Sequence, residues 1–405
     1  MTSRRRGACP GLADPLPTGD GLLARLAVTR AMSLDRFAAL CAAARTHGNG
    51  IIEITARGSI QVRGLRAGSA PTFATAVEAL DIADAAEGRV LSNPLAGLDP
   101  HETFDVSGIA RSLREALVES GLAAKLAPKV SVVVDGGGAL HLDTIPCDIR
   151  LRAAAARNAV QFHVTLAIDH AGETPLGAVA SDHAVEAALK WLDAIAARGP
   201  TARARDLSLP AERAAMKRAR FPAAAIGTHS LRDDSLALGI GLPFGHGDAG
   251  ALLKLLEEAR RANTASVRPA PGRALLMIGV PPKQAPLLCS AAERLGFITT
   301  CDDPRRRVVA CAGAPACAAA QIPTRALAPV VSAVAEVDAT TIHLSGCAKG
   351  CAHPEPAALT IVGIDGKCGI VRNGRAQDAP AEFVAADDVP RLLGERTAVR
   401  EAAHG

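Results

Sequence analysis

From residue 21 onward the chain alternates between short apolar runs with a two-residue period and longer stretches in which apolar residues return every three or four positions. The run from Leu22 to Val28 predicts a strand, Ser33 an N-cap, and the segment through about His47 a helix. Strands are predicted at 51–55 and 59–63, and a second helix over about 71–82.

The same order returns after residue 235. A shift of 215 positions lays Ser33 on Asp248, Gly64 on Gly279, Pro71 on Pro286, Glu78 on Glu293 and Leu80 on Leu295. Two N-caps, two glycines ending a strand and two prolines opening a helix fall into register together, so the chain reads as an internal duplication. After a slip of three residues, Arg89-Val90-Leu91 meets Arg307-Val308-Val309. A βαββα unit is too small to cover its own sheet. The two copies are therefore expected to pack about a pseudo-two-fold axis, with a ligand cleft between them. Each copy is followed by a larger segment of mixed helix and strand, which makes the predicted class α+β. The expected units are 1–85 (an extended arm carrying Arg4, Arg5, Arg6 and Cys9, then the first copy), 86–225, 226–304 (the second copy) and 305–405. Arg198-Gly199-Pro200 marks the connection between halves, and Asp387-Asp388-Val389-Pro390 the start of a short final helix.

Composition narrows the function. With 405 residues and 49% hydrophobic content the chain can supply two to four compact cores. A net charge of only +4, one Trp and no Tyr argue against a general nucleic-acid binder. No run of about 18 apolar residues is free of charges or breakers, so no membrane span is expected. Ten cysteines without an apolar leader point to a reducing cytoplasm. Neither a Walker loop nor a Rossmann fingerprint is present; Gly239-x-Gly241-x-x-x-Gly245 has the wrong spacing. Reducing equivalents must then come from an external electron donor. Gly136-Gly137-Gly138 after Asp135 reads as a hairpin turn.

Four of the cysteines form a pattern. Cys311 and Cys317 stand as C-x5-C, Cys347 and Cys351 as C-x3-C, with Gly313, Gly346, Gly350, Pro315 and Pro354 bending the backbone around them. Four thiolates in two close pairs suit one metal centre, either zinc or a [4Fe–4S] cube. Zinc favours C-x2-C knuckles and neither pair has that spacing, which favours the cube. Cys9, Cys41, Cys147, Cys289, Cys301 and Cys368 are scattered and read as ordinary buried thiols. His343 and His353 flank the second pair and are expected to pack or hydrogen-bond rather than to ligate. Arg57, Gln61 and Arg63 follow one another at even intervals, which on a strand would aim all three at one ligand.

The pattern C-x5-C…S-G-C-x-x-x-C resembles that of the sulfite and nitrite reductase family, and the likeness spans nearly the whole chain. It implies two ferredoxin-like half-domains and two larger α+β domains, the second holding a [4Fe–4S] cluster. R-G-A-C-P-G-L at 6–12, P-T-G-D-G-L-L at 17–23 and Ala348-Lys349 resemble an oxygen-dependent branch of that family, in which a precorrin macrocycle of aerobic cobalamin synthesis is the substrate. By that likeness Arg57 and Gln61 match a T-x-R-x-x-x-Q motif that contacts tetrapyrrole carboxylates, Arg25 matches an arginine of the first strand, and Lys129 the first of a lysine pair whose second member is here Ser131. Arg63 and Arg89 complete the candidate contacts. Arginine forks suit a macrocycle rimmed with acetates and propionates. The resemblance implies a monooxygenase that takes dioxygen, a tetrapyrrole and electrons from a reductase, flavodoxin or ferredoxin, and leaves open a further non-haem iron. The alternative is a sirohaem-dependent sulfite or nitrite reductase, and a zinc-stabilised scaffold is a third reading.

Overall fold

The computed structural model describes residues 10–83, 88–157, 159–167, 172–207, 216–217, 223–334 and 341–394. The basic arm with Arg4, Arg5, Arg6 and Cys9 lies outside them. The first unit comprises β1 (Leu16–Thr18), β2 (Gly21–Leu26), α1 (Leu34–His47), β3 (Ile51–Ile54), β4 (Ile60–Leu65) and α2 (Ala70–Glu78). Then come β5 (Val90–Ser92), α3 (Ser107–Glu119), α4 (Leu122–Lys125), β6 (Val132–Asp135), β7 (Ile149–Ala155), β8 (Val160–Ala167), β9 (Gly172–Ala180), α5 (Ala184–Ala197) and β10 (Met216–Lys217). The second copy is β11 (Gly227–Ser230), β12 (Leu236–Gly241), β13 (His246–Asp248), α6 (Ala249–Arg261), β14 (Ser266–Ala270), β15 (Ala274–Val280) and α7 (Ala285–Arg294). The chain continues with β16 (Val308–Ala310), α8 (Thr324–Val334), β17 (Ile342–Ser345), β18 (Ala357–Ile364), β19 (Lys367–Gly374) and β20 (Glu382–Val384). No helix among the described residues is long and apolar enough to cross a membrane.

The duplication extends to single hydrogen bonds. Ser33 caps α1 by accepting from the Arg36 amide, and Asp248 caps α6 by accepting from the Ala251 amide, each three residues on. Gly64 and Gly279 both adopt positive φ. The two copies are tied together by exchange: β13 of the second copy adds to β3 of the first through Gly247 opposite Ile52, while Met32 of the first bridges Val267 of the second. These pairings are equivalent under the 215-residue shift, so a two-fold relates them. Helices α1 and α6 cover one side of both sheets. Phe37, Leu40, Ile52, Ile60, Leu252, Leu255 and Met277 form one shared core, each large side chain contributing about 1.5–3 kcal/mol.

The two larger segments repeat one another too. In each, three short strands run parallel and a fourth returns antiparallel: β5, β6, β7, β8 in the first and β16, β17, β18, β19 in the second. Gly136–Gly138 is therefore not a hairpin turn. It follows β6 and opens the crossover to the parallel strand β7, which a two-residue turn cannot make. The helix expected to reach residue 82 ends at Glu78, and residues 389–394 form the expected final helix.

Candidate functional site

Cys311 follows β16 directly and Cys347 lies two residues beyond β17, so two adjacent parallel strands deliver both cysteine pairs to one end of the sheet. The Gly346 amide donates to Cys311 Sγ at 3.1 Å, and the Thr324 hydroxyl donates to the Cys311 carbonyl at 2.7 Å. Burial pushes the Cys351 thiol up, and the nearby charges of Cys347, Cys311 and Cys317 push it further, so the four sulfurs share one neighbourhood. Among the described residues no three His, Cys, Asp or Glu side chains converge tightly enough to hold a single ion. The backbone around the sulfurs is packed too closely to take side chains at two of its glycines. A Cβ on Gly346 would lie 2.5 Å from the Ala320 Cβ, and Gly313, at φ +65°, would strike Thr324 at 2.3 Å. Close backbone with an amide aimed at sulfur is the environment an iron–sulfur cube takes, and these four cysteines fit one.

The first half keeps this cradle without its cysteines. Matching the strands puts Asn93 at the place of Cys311, Asp99 at that of Cys317, Gly137 at that of Cys347 and His141 at that of Cys351. Three hydrogen bonds repeat. The Gly136 amide donates to Asn93 Oδ1 at 2.7 Å where the Gly346 amide meets Cys311 Sγ. The Asp99 amide donates to the Leu95 carbonyl as the Cys317 amide does to Gly313, and the Thr103 amide to Gly136 as that of Gln321 does to Gly346. Asn93 then fills the space, donating to Asp135 and to the Gly137 and Leu140 carbonyls.

The face of the first sheet turned away from α1 carries a polar row. Arg25 on β2 pairs across to Gln61 on β4, Gln61 to Glu53 on β3, and Glu53 to His246 on β13. Arg25 donates to Ser59 Oγ at 3.0 Å. Arg57 sits in the turn before β4 rather than on the strand, so its spacing from Gln61 does not align it with that face. It nevertheless reaches Arg25, and both line a small cavity with Ser59, Pro94 and Arg268. Burial lowers the pKa of the Arg57 guanidinium, and Arg25 and Arg203 lower it further against Cys147 and Asp148; one N–H group donates to the Pro146 carbonyl.

The remaining candidates go elsewhere. Arg63 is nearly enclosed and turned inward, where Nε and Nη2 meet the two Asp20 oxygens at 3.0 Å and Nη2 also donates to the Ala316 carbonyl. Arg89 is buried and donates to the Ala127 carbonyl at 2.8 Å, holding the loop before β6. Lys129 is exposed, while Ser131 is buried with its hydroxyl unpartnered. His343 is fully buried; it packs edge-on against His353, and neither ring nitrogen finds a hydrogen bond. Burial drives its imidazole down to about 4, with His353 and Arg273 adding to the effect.

Arg268 was not expected. It occupies in the second copy the place of Glu53, donates to the Pro94 carbonyl at 2.7 Å, and is pushed down to about 10 by burial and by Arg114. A larger cavity of about 720 Å³ opens on its other side, between the two copies and α3. The sequence signal for Arg268 is the 215-residue shift itself, which lays it on Glu53, charge on charge. In the second copy Leu276 and Ile278 replace Gln61 and Arg63 and pack with Leu95, Leu140 and Ile298. Of the polar row on the first sheet, the second copy keeps a charge at Arg268, beside Leu276.

A family description, nitrite/sulfite reductase ferredoxin-like half domain, matches residues 14–80. A precorrin-3B synthase of a Sinorhizobium species is 40% identical over 396 residues, 95% of this chain and 86% of that protein. A ferredoxin–nitrite reductase of Synechococcus elongatus is 25% identical over 357 residues, 77% of this chain and 70% of that one. Among solved structures, the Mycobacterium tuberculosis NirA protein superposes with a TM-score of 0.67 at 15% identity, over 93% of this chain and 80% of that chain, a likeness of fold.

Proposed function

The chain belongs to the precorrin-3B synthase family, a branch of the nitrite and sulfite reductases, and on that premise we propose that it hydroxylates precorrin-3A at C20 with dioxygen and closes the ring A acetate into a γ-lactone, giving precorrin-3B. One oxygen atom enters the macrocycle and the other leaves as water, which takes two electrons and two protons from an external donor of reductase, flavodoxin or ferredoxin type. The reaction belongs to cobalamin synthesis in the cytoplasm.

Cys311, Cys317, Cys347 and Cys351 would hold a [4Fe–4S] cluster, which when bound supplies single-electron chemistry that no side chain offers. The macrocycle is held by the chain's own cations. Arg25 from β2, Arg57 from the turn before β4 and Arg268 from the second copy converge on one small cavity, which admits a carboxylate arm of the macrocycle rather than its ring, and that convergence carries the reading. Guanidinium groups from three segments suit the carboxylate rim of a rigid ring, with one donor of Arg57 and one of Arg268 spent on the Pro146 and Pro94 carbonyls. Gln61, beside Arg25, adds a neutral donor and acceptor. Replacement of the second lysine of the pair by Ser131 fits a macrocycle that is itself the substrate, since Ser131 is buried and offers no charge to a small anion.

The test is a single turnover. Anaerobically reconstituted protein is mixed with precorrin-3A, ¹⁸O₂ is admitted, and the product is weighed. One labelled oxygen in a hydroxylactone is expected; an unlabelled product refutes the monooxygenase reading. A sirohaem Soret and Q band in the purified protein would instead make it a sulfite or nitrite reductase.

A further inference from the structure

Four alternating charges join the first sheet to the cysteine loop. Asp20 holds Arg63 through two contacts of 3.0 Å, Arg63 lies 3.7 Å from Glu53, and Glu53 pairs closely with Arg325. All are withdrawn from water, with side-chain exposures of 15% for Asp20, 4% for Arg63, 15% for Glu53 and 17% for Arg325. One end of this ladder grips the loop between the first two cysteines. The Ala316 carbonyl accepts from Arg63 at 2.5 Å and from the Gly19 amide at 3.2 Å. The other end stands beside Cys311. Arg325 follows Thr324, whose hydroxyl bonds to the Cys311 carbonyl and lies 3.7 Å from Cys311 Sγ. Arg325 and Cys311 also sense each other's charge.

We propose that the ladder of Asp20, Arg63, Glu53 and Arg325 sets the reduction potential of the cluster held by Cys311, Cys317, Cys347 and Cys351, with Arg325 as the cation beside Cys311 and Glu53 as the anion that offsets it. The inference rests on the cluster reading above. Arg63 and Arg325 are positioning and electrostatic residues, not substrate contacts. The Arg63 donors are already committed to Asp20, Ala316 and Glu53, so a substrate carboxylate could take its fork only by displacing Asp20.

The sign follows from Coulomb's law in a site with little water. Reduction adds one negative charge to the centre, and a neighbouring cation favours it. Replacing Glu53→Gln leaves Arg325 uncompensated, so the potential rises. Replacing Arg325→Gln removes the cation and leaves the anion, so it falls. The double variant removes one charge of each sign and returns toward wild type, and Arg325→Lys, which keeps the charge, stays near wild type.

The experiment is a reductive titration of full-length protein reconstituted with iron and sulfide, followed by electron paramagnetic resonance. Opposite shifts of the two single variants, each at least a tenfold change in the reduced fraction at fixed potential (59 mV for one electron), are the expected result. Shifts of the same sign, or none, overturn the proposal, because a packing role alone does not depend on which charge is removed. Failure of the cluster reading has a separate signature: wild-type protein that binds no iron and labile sulfide overturns both. Should a glutamine variant lose its iron, Glu53→Asp and Arg325→Lys must both hold wild-type potentials, and a shift of either overturns the electrostatic assignment.

Discussion

Substituting Gly19→Ala should damage a site that its own side chain never enters. Gly19 lies in the turn between β1 and β2, pressed against the backbone of the C-x5-C loop. An added Cβ would sit 2.2 Å from the Pro315 carbonyl oxygen, 3.0 Å from the Ala318 nitrogen and 3.1 Å from the Cys317 carbonyl carbon. All three are main-chain atoms, so no rotamer change can relieve the overlap. The turn and the loop must separate by on the order of 1 Å, as overpacked sites do at a cost of about 1–3 kcal/mol. Separation also lengthens the bond from the Gly19 amide to Ala316, worth about 0.5–1.5 kcal/mol. Together these give about 2–4 kcal/mol. For a melting unit of about 150–250 residues, that lowers the midpoint by roughly 5–15 °C. Because Cys317 is the residue displaced, iron should also leave faster to a chelator. The assay is a thermal melt paired with chelator-driven iron release, with Gly108→Ala as control, since nothing lies within 4 Å of a Cβ there and the helical site gains up to about 1 kcal/mol from alanine. If Gly19→Ala melts and releases iron as the wild type does, the turn does not brace the loop and the reasoning fails.

Three further outcomes are expected. Arg25→Gln should weaken tetrapyrrole binding about tenfold or more, the loss of one charge-assisted contact of about 1.5–3 kcal/mol, with little change in melting; Arg63→Gln should chiefly lower the melting point, and fluorescence titration with a uroporphyrin beside a melt separates the two. Asn93→Ala should destabilise the first half by about 2–4 kcal/mol in urea, because it strips partners from the Gly136 amide and from Asp135, while leaving the iron content unchanged. Burial and the neighbouring Arg325 hold the His246 imidazole down to about 4 against a weaker pull from the Phe244 backbone. The unfolded chain therefore binds a proton between about pH 6.5 and 4 that the folded chain refuses, and stability falls as pH drops through that window; denaturation series should show a shallower acid slope in His246→Gln, and an unchanged slope would exclude His246 as its source.

Much of the fold is legible because its signals are local. An N-cap three residues from the amide it serves, a proline opening a helix and a glycine at positive φ each report on a few neighbouring residues, so their recurrence exposed the duplication. The cysteine spacing is legible for the same reason, since each pair occupies a single loop. The partners of Arg63 are not legible in the sequence because they are remote. Arg63 stands two residues from Gln61, but Asp20 is 43 positions away and Ala316 is 253 positions away. Strand alternation reports which face a side chain takes, not what another domain brings to that face. Gly136–Gly138 shows the same gap: three glycines announce a bend, but whether the next strand returns parallel or antiparallel is set by the sheet.

The order of residues alone determined that the molecule is built twice, where the helices of the two copies begin, and that four thiols stand in two close pairs, because those properties depend on period and spacing along the chain. Tertiary structure alone decided that one sheet face carries a polar row where its twin keeps a single buried arginine, that Asn93 fills the first half's copy of the cradle, and that Arg63 braces the cysteine loop. Those properties depend on which distant side chains share a desolvated space, and the energy of a buried charge is fixed by its neighbours rather than by its place in the sequence.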